Sequence, residues 1–326
     1  MGYSEEIIRR AKARLEQARA EREAEYESRL SDAYRDNPRL KEIDLELRRL
    51  SAQAISAAFQ KSEDPQAAIL ALRDRSLELQ QQCEWILDAA GYEDGWLDKT
   101  PVCEVCGGSG YHNGRMCSCL KELCRQEQKK ELAAQFLSGE ESFDRFRLDY
   151  YPDEIDHDLG VSPRRIMRAT LQSCRQYAAS FRPSSDNLLF SGATGLGKTF
   201  LSACIARQVA DKGYSVIYQT AVDLFADFEA AKFGNGDEDP RALIRKYTDG
   251  DLLIIDDLGT ELTTQFTVSA LYTVIDARLR RQLATIVSTN LTPEAIEDRY
   301  SPQIASRLCG SYRLIQFFGT DIRMMK

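Results

Sequence analysis

A chain of 326 residues with 43% apolar and 29% charged residues has the balance of a soluble globular protein and the length for two domains. Its net charge of −8 excludes a protein that coats nucleic acid through a generally basic surface, because neutralising phosphates takes clustered Lys and Arg; any such site must be local. No apolar run nears the ~20 residues of a membrane span, and the start MGYSEEIIRRAKAR lacks the apolar core of a secretion signal, so a cytoplasmic location is expected.

Residues 4–60 are rich in Arg, Glu, Ala and Leu. Ile8, Ala11, Leu15 and Ala18 recur at helical spacing, which predicts a helical hairpin breaking near Asn37 and Pro38. A further helix is expected over 65–90, with Leu70, Leu72, Leu77, Leu79 and Ile86 as its apolar content. Such a segment either packs on itself with a solvated face or serves as a partner-binding module.

The next segment, CEVCGGSGYHNGRMCSC, supplies Cys103, Cys106, Cys117 and Cys119 as C-x2-C and C-x-C pairs on glycine-rich turns. Close thiolate pairs of this kind in a cytosolic protein suit tetrahedral Zn2+, with a redox pair as the competing reading and His112 or Cys124 as substitutes for a fourth ligand. Four sulfurs leave no open position, so the metal would be structural. Cys83, Cys174, Cys204 and Cys309 read as packing residues, and His157 has no evident partner.

A charged helix follows at 121–137, then ESFDRFRLDYYPDE and a helix at 163–180. From 187 onward short apolar runs (NLLFSG, SVIYQT, DLLIIDD, ATIVSTN, YRLIQFFG) alternate with helical stretches, predicting an α/β fold with a parallel sheet flanked by helices on both faces. GNGDEDP at 234–240 reads as an exposed loop. The chain thus divides into a helical N-terminal module at 1–99, a zinc-binding segment and linker helix at 100–137, and a nucleotide-binding domain at 138–326.

The loop GATGLGKT comprises Gly192, Ala193, Thr194, Gly195, Leu196, Gly197, Lys198 and Thr199, between a strand and a helix. In that context its amides curl around nucleotide phosphates, Lys198 reaches the β- and γ-phosphates, and the Thr199 hydroxyl helps hold Mg2+. DLLIIDDLGTE carries two acids just past an apolar run: Asp256 is the natural outer-shell Mg2+ partner, and Asp257 stands where a general base acts on the attacking water. Asn290, ending ATIVSTN, is positioned to donate to a phosphate oxygen and orient that water.

The ordered set GATGLGKT, LLIIDDLGTE, VSTN, ASRL and GTDIR resembles the AAA+ ATPases of the replicative helicase loader family, the DnaC/DnaI type, with the IstB transposition helpers as close relatives. The likeness covers roughly 140–326. It implies that Asn290 senses the γ-phosphate, that Arg307 is an arginine finger completing a neighbouring subunit's site, and that Arg323 is a second sensor on the subunit's own nucleotide. Asp257 stands where many AAA+ ATPases carry Glu, one methylene longer, and Glu261 is placed to assist it.

The resemblance also implies segments facing a central channel, where Phe233, Thr264 and Phe266 would meet single-stranded DNA by stacking. Arg278, Arg280 and Arg281 form a basic run that would serve its backbone or simply face solvent. The implied function is an ATP-dependent loader of a replicative hexameric DNA helicase that self-associates through the ATPase domain, with slow hydrolysis, stimulated by assembly, partner or DNA, acting as a release switch. Its ligands would be ATP, Mg2+ and Zn2+. The alternatives are an IstB-type transposition helper and a non-hydrolysing ATP-binding adaptor.

Overall fold

Asn37 and Pro38 interrupt the N-terminal helical run: α1 spans Glu5–Asp36 and α2 spans Pro38–Phe59. Pro38 occupies the first helical position, where its missing N–H has no intrahelical partner to lose. α3 follows at Pro65–Ala89. In this computed structural model the described residues are 2–59, 65–135, 141–157, 160–233 and 240–325. They form two units, Arg14–Arg115 and the combination of Met1–Ala13 with Met116–Lys326. None of the described helices is long and apolar enough to cross a membrane.

Within Arg14–Arg115, α2 packs on α3, and Leu15, Ala33, Leu40, Ile43 and Leu79 are its buried apolar side chains. Arg29 ties down the segment after α3 by donating to the carbonyls of Trp96 (2.7 Å) and Asp98 (3.3 Å). A short hairpin then pairs β1 (Tyr111–His112) with β2 (Arg115–Met116). Its turn is Asn113-Gly114, both at positive φ (50° and 71°), the dipeptide that a two-residue hairpin with right-handed strand twist favours.

The larger unit begins with Tyr3, Ile7 and Ala11, which bury against Leu120 and Cys124 of α4 (Ser118–Gln135). Next come α5 (Pro163–Ala179), β3 (Leu188–Ser191), α6 (Lys198–Asp211), β4 (Val216–Thr220), α7 (Ala221–Phe233), α8 (Pro240–Asp249) and β5 (Leu252–Leu258). The chain closes with α9 (Gln265–Arg281), β6 (Ala284–Thr289), α10 (Pro293–Arg299), α11 (Pro302–Ser311) and β7 (Arg313–Gln316). The loop call at 234–240 falls, up to residue 239, outside the described residues.

Helix starts follow local chemistry. Ser162, Thr292 and Ser301 each cap a helix whose first residue is proline, accepting from the backbone N–H three residues on. The five strands are parallel in the order β4-β5-β6-β3-β7. Alternation divides the core between the two faces: Leu188, Phe190, Leu252, Ile254 and Ile286 pack with α5 and α6, whereas Leu189, Leu253, Ile255 and Val287 pack with α7, α9 and α11. This is the doubly covered parallel sheet that the alternation of strands and helices predicts.

The edge of β4 is closed by a side chain. Gln128 of α4 accepts from Val216 N–H (2.8 Å) and donates to the Tyr214 carbonyl (2.8 Å), supplying the two bonds a sixth strand would otherwise make.

Arg278 overturns the reading of the 278–281 basic run. It is 0% exposed, and its guanidinium donates to the carbonyls of Tyr247 (3.0 Å), Gly250 (3.0 Å) and Ala284 and to Thr285 Oγ1 (2.9 Å). Burial pushes its pKa down to about 10. Arg280 and Arg281 face outward and pair with Asp276 and Asp249.

Candidate functional site

The C-terminal edge of the sheet gathers most of the predicted nucleotide-binding residues. β6 lies between β3 and β5, and Ser191 pairs with Thr289 while Leu258 pairs with Thr289 from the other side. One residue beyond Thr289, exposed Asn290 therefore sits between the phosphate loop leaving β3 and the acids ending β5.

The loop bends because of its glycines. Gly197, the residue before α6, has φ +86°, and Gly195 has φ +74°. At that φ a side chain is strained, and a Cβ on Gly195 would also lie 1.8 Å from the Asp321 carboxylate, so glycine suits the position. The loop is also gripped from outside: Tyr151 donates to the Leu196 carbonyl (2.9 Å), and Ile322 N–H donates to the Gly195 carbonyl (3.1 Å). Phe146 stacks on Tyr151, with ring centroids 5.7 Å apart, and approaches Phe200 at 5.9 Å, so the aromatic segment 143–151 forms a wall beside the loop. Sequence reasoning marked this segment but not the individual bond from Tyr151.

Lys198 folds back over its own loop, donating to the carbonyls of Gly192 and Ala193 at 2.7 Å each. It is 5% exposed. Burial lowers its pKa, Asp257 and Asp256 oppose that shift, and Arg323 adds to it. A triphosphate would exchange two neutral acceptors for charged ones.

Asp256 is 3% exposed and held on both oxygens. Tyr218 donates to Oδ2 at 2.8 Å, and Ser288 donates to Oδ1. A buried carboxylate held in one plane is a hard oxygen donor of the kind that suits Mg2+. Asp257 lies in an irregular stretch of β5, at φ +54°, with its N–H donated to Ser288 Oγ (2.9 Å) and its side chain exposed at the rim. Desolvation and the neighbouring Asp256 raise its pKa, and Lys198 and Arg323 pull it back. Arg323 is exposed, in the turn Ile322–Met325, with its N–H bonded to Asp321 Oδ1 (2.9 Å). The bond from the preceding residue's N–H, on Ile322, to the Gly195 carbonyl places it next to the phosphate loop.

Glu261 is not an available base. It is buried, accepts from Gly259 N–H (2.9 Å) and from Tyr300 OH, and its backbone carbonyl accepts from Arg299. Arg307, on α11, reaches neither the phosphate loop nor the acids. It donates to Asp276 Oδ1 (2.9 and 3.2 Å), to Tyr272 OH (2.7 Å) and to the Gln303 carbonyl (3.3 Å), with its guanidinium carbon 4.4 Å from the Tyr272 ring centroid.

Of the three DNA-contact expectations, Thr264 caps α9: its hydroxyl accepts from Thr267 N–H (3.2 Å) while its own N–H donates to Thr267 Oγ1 (2.8 Å). Phe266 is half-buried, with Lys232 Nζ 4.4 Å above its ring. Phe233 ends α7, and its side chain lies outside the described residues.

Cys103, Cys106, Cys117 and Cys119 converge, their sulfurs all within 4.8 Å of one another. Four thiolates around Zn2+ at about 2.3 Å each stand roughly 3.8 Å apart, so the donor set fits zinc. Gly110 N–H donates to Cys106 Sγ (3.3 Å), an amide placed to stabilise a thiolate. Cys124 is buried among Tyr3, Ile7 and Ala11 with its thiol pushed up to about 11 by burial, and His112 Nε2 sits 3.2 Å from Asn113 Nδ2. Neither belongs to the cluster.

Residues 153–303 match the family model described as IstB-like ATP binding protein. The chain is similar to the replicative helicase loader DnaC of Buchnera aphidicola subsp. Acyrthosiphon pisum (strain APS), 23% identical over 167 residues, which are 51% of this chain and 62% of that protein. It is similar to DnaC of Escherichia coli (strain K12) at 25% over 138 residues, 42% of this chain and 56% of the other. The chain thus spans less than two thirds of these relatives. A solved structure titled "Crystal structure of the DnaC helicase loader" superposes with a TM-score of 0.46 at 18% identity, covering 55% of this chain and 97% of that one. The matched segment 153–303, similar to IstB-like ATP binding proteins, contains the phosphate loop and four of the five strands of the parallel sheet behind it.

Proposed function

We propose that this chain is an ATP-dependent loading factor for a replicative hexameric DNA helicase. The observation that supports the reading is a glycine-rich loop leading into α6, with Lys198 buried at its first position, on the same sheet as the strand β5 that carries Asp256 and Asp257. Similarity to helicase loaders named DnaC supplies the partner class.

Lys198 would leave the Gly192 and Ala193 carbonyls for the β- and γ-phosphates. Thr199 and Asp256 would hold Mg2+, which supplies charge neutralisation on those phosphates. Asp257, with its affinity for a proton raised, would polarise the attacking water while Asn290 orients it, and Arg323 would meet the charge that builds on the subunit's own nucleotide. Arg307 would act on a neighbouring copy after exchanging Asp276 and Tyr272 for a phosphate, which makes turnover depend on assembly. Single-stranded DNA would lie against Phe233, Thr264 and Phe266.

The helical module at 1–99 would grip the helicase. It exposes large apolar side chains on α2 and α3, among them Ile55 (64%), Leu70, Leu77 and Trp85 (71%), more than a self-sufficient helical bundle needs to leave in water. The segment 100–137 would be held by Zn2+ on the four cysteines, ahead of the ATPase domain at 138–326. Purified protein should contain about one zinc per chain by metal analysis. Cys106→Ser should lower that content and increase amide exchange over 101–119, whereas a metal-free wild type with unchanged exchange would remove zinc from the reading.

Phosphate release tests the whole. Wild type should hydrolyse ATP slowly alone and faster with single-stranded DNA and a hexameric helicase. Arg307→Ala should bind ATP as wild type does yet lose about a thousandfold or more of the stimulated rate. Full stimulated turnover in that variant rejects the finger role. A second reading, an ATP-binding adaptor without turnover, is favoured by the commitment of Glu261 to Gly259 and Tyr300, and it predicts tight ATP binding with no release under any condition.

A further inference from the structure

Tyr218 enters no part of the mechanism above, yet its hydroxyl bonds the Asp256 carboxylate. It projects from β4, whose Thr220 is in register with Asp256 on β5, and it is buried. Its hydroxyl lies 2.8 Å from Asp256 Oδ2 and 3.1 Å from Ser202 Oγ. Ser202 belongs to α6, one turn beyond Thr199, and its hydroxyl lies 2.9 Å from the Thr199 carbonyl. The line of groups is therefore Thr199 carbonyl, Ser202, Tyr218, Asp256.

Two hydroxyl protons serve three acceptors in that line. The charged acceptor is the strongest, so the Tyr218 proton goes to Asp256. A phenol carries its proton throughout the physiological range, so Tyr218 has one to donate. The Ser202 proton is then divided between the Thr199 carbonyl and the phenolic oxygen of Tyr218. With Ser288 on the other oxygen, Asp256 has one lone pair on each side occupied and its carboxylate plane fixed.

We propose that Tyr218 is a positioning residue that holds Asp256 for Mg2+ and, through Ser202, links that carboxylate to the helix turn bearing Thr199. The inference rests on the nucleotide-site reading above. It predicts that removing one oxygen atom weakens the affinity of the site for magnesium without altering the phosphate loop itself.

The test is Tyr218→Phe in the full chain, read as the Mg2+ concentration giving half-maximal binding of a fluorescent ATP analogue, beside the melting temperature without nucleotide. The Mg2+ midpoint should rise about tenfold, the value of one charge-assisted hydrogen bond. Ser202→Ala, which leaves Tyr218 donating to Asp256, should raise it by roughly threefold, and it carries the test if Tyr218→Phe fails to fold. A purely structural hydroxyl would shift the melting temperature and leave the Mg2+ midpoint alone; that result overturns the proposal. Failure of the wild type to bind the analogue at any Mg2+ concentration overturns the nucleotide reading, and this inference with it, before any variant is compared.

Discussion

Lys198→Ala should leave the protein folded and unable to bind ATP at concentrations that saturate the wild type. The amine now satisfies two backbone carbonyls at 2.7 Å in a buried position, where desolvation works against its charge. Phosphate oxygens remove that penalty and add hydrogen bonds between charged groups, each worth about 1.5–3 kcal/mol. Losing two such bonds costs about 3–6 kcal/mol, or about two to four orders of magnitude in affinity. Titration of a fluorescent ATP analogue into both proteins measures it. Retention of affinity within tenfold of wild type would separate Lys198 from the phosphates and dismantle the site built around it.

The second large effect concerns folding. Arg278→Met keeps the length of the side chain and removes all of its donors, leaving the carbonyls of Tyr247, Gly250 and Ala284 and the Thr285 hydroxyl without them in a water-free interior. Each orphaned buried group costs about 1–3 kcal/mol, offset in part because methionine carries no charge to desolvate, for a net loss of about 3–5 kcal/mol. In a unit of this size that lowers the melting temperature by roughly 10 °C. Arg281→Met removes only an exposed pair with Asp249 and should stay within about 1 kcal/mol of wild type, so the two variants measured side by side by calorimetry isolate burial as the cause. Equal melting temperatures would mean that Arg278 is solvated in solution.

That contrast also shows where the sequence speaks and where it stops. Arg278, Arg280 and Arg281 look alike as a run of charge, but Arg278 shares a helix face with Leu271, Val274 and Ile275, at spacings of seven, four and three, and so points inward. The phase was readable; the habit of assigning arginine to the surface hid it. The phosphate loop and the acids of β5 are legible because each depends on residues adjacent in the chain: a turn that only glycine allows, a strand that ends in carboxylates. Helix ends at Pro163, Pro293 and Pro302 are legible for the same local reason.

Contacts between distant segments leave no such trace. Nothing near Tyr218 announces Asp256, and nothing near Arg307 announces Asp276 thirty-one residues earlier. Glu261, two residues past Gly259, looks like a spare base until Tyr300 is seen to hold its carboxylate. The stripe of Tyr3, Ile7 and Ala11 reveals a buried face but not that α4 covers it.

The bonds from Gln128 to Tyr214 and Val216 have a mechanical consequence. A helix that merely packs on a sheet can slide by small steps as side chains repack, but one wired through a single amide to two backbone groups moves with the strand or breaks both bonds together. α4 is thus a strut of the sheet and not a free lever. Cys117 and Cys119 stand at the start of that same helix, and Tyr218 on that same strand.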